Sequence, residues 1–156
     1  ARLAGVGIAT VFRHFPAKAD LLNEVLARRF ERLRERAERL AGSADPGQAL
    51  FGMFTEMVSD APSKIAIAEA LVEALVEAGG ETEAESRAEQ ASGELSQAVG
   101  VLLRRAQAAG AVRPDIELPE LYALLIGMSR AAAYAQLDPG VRARALRVVF
   151  DGLAGR

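Results

Sequence analysis

The sequence contains no cysteine. A disulfide framework, thiol chemistry and Cys-ligated zinc are therefore excluded, and a reducing, cytoplasmic setting is the expectation. Tryptophan is absent, aromatic residues make up only 5% of the chain, and there is a single histidine, His14. A lone imidazole makes neither a metal site nor a catalytic triad. No apolar run approaches the roughly 18 residues that a membrane-spanning helix needs, and residues Ala1 to Thr10 lack the apolar region of a signal peptide. Alternating β-branched runs and Asn-Gly hairpin turns are also missing. No nucleophile–base pair, metal-ligand spacing or glycine-rich phosphate loop is evident. The expectation is thus not an enzyme, with no catalytic residues, no cofactor, no metal and no membrane partner.

What is present is helix-forming sequence. Of 156 residues, 51% are hydrophobic, and Ala, Leu, Glu and Arg recur in long stretches of high helix propensity. Proline and glycine divide the chain into blocks. The first, Gly7 to His14, is short. The second, Lys18 to Leu40, repeats apolar residues at Leu22, Leu26, Phe30, Leu33, Ala37 and Leu40, the stripe of an amphipathic helix. Asp45-Pro46 reads as a cap with a first-turn proline, opening a block through Val58. Pro62 predicts the start of another, ended by Gly79-Gly80. Further helices are predicted over Thr82 to Ala109 and Pro119 to Gln136, and a last one is capped at Asp138-Pro139 and reaches Leu153. The Pro119–Gln136 segment is apolar nearly all round, so both its sides need cover.

Formal net charge is −2, but the charge is uneven. Residues 1–18 carry Arg2, Arg13 and Lys18 and no acid. The segment from Glu81 to Glu94 is acidic and reads as a solvated face. A basic end on an acidic body suggests an anionic partner at that end. Gly5 permits a sharp turn between two short helices, as in a helix-turn-helix, whose second helix enters the major groove.

The run from Ala4 to Lys18 resembles the second half of the DNA-binding motif of the TetR family of transcriptional regulators. The match falls on Ala4, Gly5, Val6, Thr10, His14, Phe15, Lys18 and Leu21, with Val11 and Phe12 as conservative replacements. Looser similarity lies at Ala109 to Asp115 and at Phe150 to Leu153. The sequence departs from the motif at Gly7, Ala9, Phe12 and Ala17, which removes side-chain hydroxyl or capping contacts. The family's first helix and most of its second would precede Ala1.

The resemblance implies an all-α fold. A truncated helix-turn-helix unit is joined by a long helix to a helical-bundle domain for ligand binding and dimerisation. Residues 1–40 would be the remainder of the DNA-binding domain with its connecting helix, and residues 41–156 the effector-binding and dimerisation domain. It further implies a repressor released from double-stranded operator DNA by a small, apolar effector. Gly7, Ile8, Thr10, Phe12, Arg13, His14 and Lys18 are the expected DNA contacts. Phe51, Phe54, Met57, Leu71, Leu75, Tyr122 and Met128 are candidates for an effector pocket, with Tyr122, Ser129 and Gln97 as its polar groups. Leu121, Leu125, Ala132, Val141, Ala145 and Val149 are candidates for a homodimer interface on the last two helices. The alternative is an all-α ligand-binding or protein-interaction module that no longer binds DNA.

Overall fold

The computed structural model describes residues 18–78, 83–135 and 137–155. These form five α-helices: α1 (Lys18–Leu40), α2 (Pro46–Ala78), α3 (Glu83–Ala108), α4 (Leu118–Tyr134) and α5 (Pro139–Leu153). The caps fall where the sequence places them. Asp45 Oδ1 accepts from the Gln48 N–H at 2.9 Å, and Asp138 Oδ1 accepts from Gly140 at 2.9 Å and from Val141 at 3.4 Å. Each satisfies amides that the first helical turn leaves without partners. At α4 the Glu120 side chain reaches back to the Glu117 N–H at 3.1 Å.

The second helix differs from expectation. Pro62 does not open a new helix but lies inside α2, which runs for 33 residues. A proline there removes one ladder hydrogen bond and costs about 3 kcal/mol. Pro62 is exposed, whereas Val58 and Ala61 before it and Leu71 and Ala74 after it are buried. Packing on both sides of the proline thus offsets the local penalty, which is the tertiary context that propensity alone omits.

Helix α1 packs most extensively on α3 and next on α2, and α2 also carries α4. The main core gathers Leu33 and Ala37 of α1, Leu50, Met53 and Val58 of α2, Leu95, Val99 and Leu102 of α3, and Leu121 of α4. A second, smaller cluster holds Ala19, Leu26 and Ala27 of α1 against Leu71 and Ala74 of α2 and Ala88 and Ala91 of α3. Alanines dominate it, so the helices approach closely there. Helix α1 therefore supplies buried side chains from its first turn to its last. Arg87 of α3 bridges Glu24 and Glu31 of α1 at 2.7 and 3.3 Å. These exposed pairs contribute little energy, but they place the charged start of α3 along α1.

Helix α5 docks through aromatic contacts. Phe150 stacks on Phe51 with ring centroids 4.5 Å apart and meets Phe54 edge-on at 5.6 Å. Its C-terminal end is clasped by the loop after α3. Arg113 donates to the Leu153 carbonyl at 3.0 Å and Gly155 to the Ala111 carbonyl at 3.2 Å, flanking an antiparallel bridge between Val112 and Ala154. Gly110 enters this loop at φ 72°, the left-handed region that glycine adopts without strain.

Candidate effector cavity

A cavity of about 370 Å³ lies where four helices meet, within the range of small-molecule sites. Helix α1 contributes Phe30 and Leu33, α2 Met57, Asp60, Lys64 and Ile65, α3 Ser92 and Leu95, and α4 Tyr122, Leu125, Ile126, Ser129 and Arg130. Most of this lining is apolar, and the few polar groups are distinct in kind. Ser129 is buried. Burial pushes the Tyr122 phenol above the usual range, with the nearby Ser96 hydroxyl opposing the shift. Lys64 is half-buried, and desolvation holds its ammonium below the ordinary lysine value. The Lys64 Nζ lies 5.7 Å from the centroid of the Phe30 ring.

Asp60 is gripped by Arg29 of α1, whose Nε donates to Oδ2 at 2.6 Å and whose Nη2 donates to Oδ1. The same helix that walls the cavity through Phe30 and Leu33 thus also ties to α2 one residue away, at Arg29.

The residues expected to form a pocket are only partly together. Met57 and Tyr122 line the cavity. Phe54 lies beyond them on a void of about 10 Å³, too small for a ligand. Phe51 is stacked on Phe150, Leu71 belongs to the smaller core cluster, and Met128 packs against the main core. The side chain of Leu75 lies outside the described residues. Of the three expected polar groups, Tyr122 and Ser129 are on the cavity, while Gln97 lines a separate surface groove with Arg34 and Glu94. Sequence reasoning missed Lys64, Asp60, Ser92 and Arg130, which read individually as ordinary helix-surface residues.

Among the expected DNA contacts, Lys18 is the exposed first residue of α1. Gly7, Ile8, Thr10, Phe12, Arg13 and His14 lie outside the described residues. The candidates for a dimer seam divide. Leu121, Leu125 and Ala132 are turned into the chain's own core, because α4 rests that stripe on α2. Val141 is exposed, and Ala145 and Val149 are half-buried on α5. The exposed apolar side chains of α4 are instead Leu124, Ile126 and Tyr134, the last bonded through its hydroxyl to Glu69 of α2.

Among the described residues no helix is long and apolar enough to cross a membrane, and no group of three or more histidine, aspartate or glutamate side chains is placed to hold a metal.

The family described as "Transcriptional regulator SbtR-like, C-terminal domain" matches residues 45–155. The chain belongs to the TetR family of transcriptional regulators. Solved structures agree with this. A TetR transcription regulatory protein from Mycobacterium vanbaalenii is 36% identical, with 99% of this chain and 80% of that one covered and a TM-score of 0.70. A TetR transcriptional regulator from Streptomyces coelicolor is 30% identical, covering 99% and 85% of the two chains, with a TM-score of 0.78. No curated protein matches the chain. The all-helical architecture of this TetR-family regulator is thus the family fold, and the cavity lies within the matched C-terminal region and the helix leading into it.

Proposed function

We propose that this TetR-family regulator is a cytoplasmic, homodimeric repressor that releases its operator when a small molecule enters the four-helix cavity. The observation that carries the reading is the position of α1. It begins at Lys18, at the end of the segment that resembles the DNA-binding motif, and supplies Phe30 and Leu33 to the cavity wall. A ligand that alters the packing at Phe30 acts directly on the helix that sets the reading head. Residues 1–40 would serve DNA binding and transmission, and residues 41–156 effector binding and dimerisation, with α1 shared in packing between them. Release requires only that the effector bind the DNA-incompetent arrangement more tightly than the competent one. No enzymatic role enters this reading.

The test is a salt-dependent DNA-binding measurement on the full-length protein. Lys18→Ala should weaken all DNA sequences about equally and reduce the salt slope by roughly one unit, whereas Thr10→Ala should change sequence preference. Phe30→Ala should leave DNA binding in place and blunt its response to effector. Absence of DNA binding in the full-length protein would leave the ligand-binding module as the better account.

A further inference from the structure

The cavity is lined unevenly in charge. Its body is aliphatic and aromatic, yet Lys64 stands on one wall and Arg130 at an exposed position on the lining. Among the described residues Asp60 is the only acid on the lining, and Arg29 takes both its oxygens. Among the described residues neither Lys64 nor Arg130 has an acidic partner within 4 Å. Lys64 feels the Asp60 charge favourably and the Arg29 charge unfavourably, and burial outweighs both. A half-buried cation without an ion pair is destabilised relative to water. A bound anion would recover that loss, whereas a bound cation, or a neutral ligand that displaces water without supplying a countercharge, would deepen it.

We infer that the cavity takes a small amphipathic carboxylate, with its head group on Lys64 and its apolar body against Phe30, Met57, Leu95 and Leu125. This rests on the cavity being the effector site and adds the chemical class of the effector. Arg130 is also on the lining, at an exposed position that it shares with a groove holding Glu69 and Glu73, so Lys64 is the charge that the head group meets.

The experiment is calorimetric titration of the full chain at neutral pH with three probes that share one body: octanoate, octanol and octylammonium. Octanoate is expected to bind about tenfold or more tightly than octanol, the usual yield of a hydrogen bond to a charged group, and octylammonium weakest. Lys64→Met should bring octanoate down to the octanol level, and Lys64→Arg should keep the preference. Ile126→Trp, at an exposed position on the lining, should weaken octanoate and octanol together. If octanol binds as tightly as octanoate and Ile126→Trp weakens it, the anion inference falls and the cavity reading stands. An octanoate preference that survives Lys64→Met also overturns the inference. If no probe binds, or Ile126→Trp leaves binding unchanged, both fall.

Discussion

Arg29 of α1 and Asp60 of α2 form a two-point contact, Nε to Oδ2 at 2.6 Å and Nη2 to Oδ1, in a position where their side chains are only 16% and 27% exposed. The hydrogen bond to Asp60 is the chief reason that the Arg29 pKa is raised. Geometry of this kind fixes orientation as well as supplying energy. Arg29→Met and Asp60→Asn should each lower stability by about 1–3 kcal/mol. The double variant should lose less than the sum, since one interaction can be removed only once. Urea unfolding of the four proteins measures this; strictly additive losses would mean that the pair contributes nothing of its own.

Lys64 gives a pH dependence with a definite sign. Its folded-state pKa is lowered by burial, with Asp60 opposing and Arg29 adding to the effect. The unfolded chain therefore binds this proton more tightly than the folded chain, and stability from this group rises with pH. The gain begins at the depressed folded value and is complete once pH passes the ordinary lysine value. Lys64→Met removes the penalty altogether. The variant should have the higher Tm at neutral pH, and the gap should close as pH rises toward about 10. Thermal unfolding of both proteins across that interval checks it, and a constant gap would contradict it.

The clasp at the end of α5 depends on the absence of a side chain. A Cβ on Gly155 would stand 2.1 Å from the Gly110 carbonyl oxygen, against backbone that cannot move aside cheaply. Gly155→Ala should cost about 1–3 kcal/mol, the usual range for overpacking, and should loosen the bridge between Val112 and Ala154. Gly93 is the contrast. It lies inside α3 with nothing within 4 Å of the added atom, so Gly93→Ala should stabilise by about 0.5–1 kcal/mol. Chemical denaturation of both variants tests the pair.

Local chemistry makes several elements legible in the sequence alone. Asp45 and Asp138 mark their helices because a carboxylate before a first-turn proline has few other uses, and the stripe from Leu22 to Leu40 has helical period and nothing else. Pro62 misled because its local rule holds only where tertiary packing does not override it. In α4 the apolar residues cover nearly the whole circumference, so periodicity could not tell that Leu121 and Leu125 face inward while Leu124 faces outward. The cavity charges were illegible for a different reason. Lys64 and Arg130 are 66 residues apart and come together only where α2 and α4 cross. Asn23 likewise hides in a polar-looking stretch of α1, yet it is fully buried.

The last two helices carry the final prediction. Val148 is 72% exposed, and Val141 joins it on the same side of α5, while Leu124 is exposed on α4. Exposed apolar side chains on two successive helices are the kind of surface that a partner covers. A second copy presenting the same two helices would cover it and give a four-helix seam, the self-complementary arrangement of a two-fold dimer. Ala145, half-buried beside Val141 and Val148, is small enough for close approach. Because Leu125 is only 5% exposed within its own chain, a charge there would damage the fold rather than the dimer. Val148→Glu is the cleaner probe: it should yield a monomer with unchanged helix content, and Leu124→Glu should weaken the dimer in the same way. Arg144→Glu, at an exposed position of α5, should matter little. Sedimentation equilibrium reads all three, with circular dichroism as the control for folding. A monomer in the unmodified protein at micromolar concentration, or a dimer that persists in both Val148→Glu and Leu124→Glu, would rule out this seam.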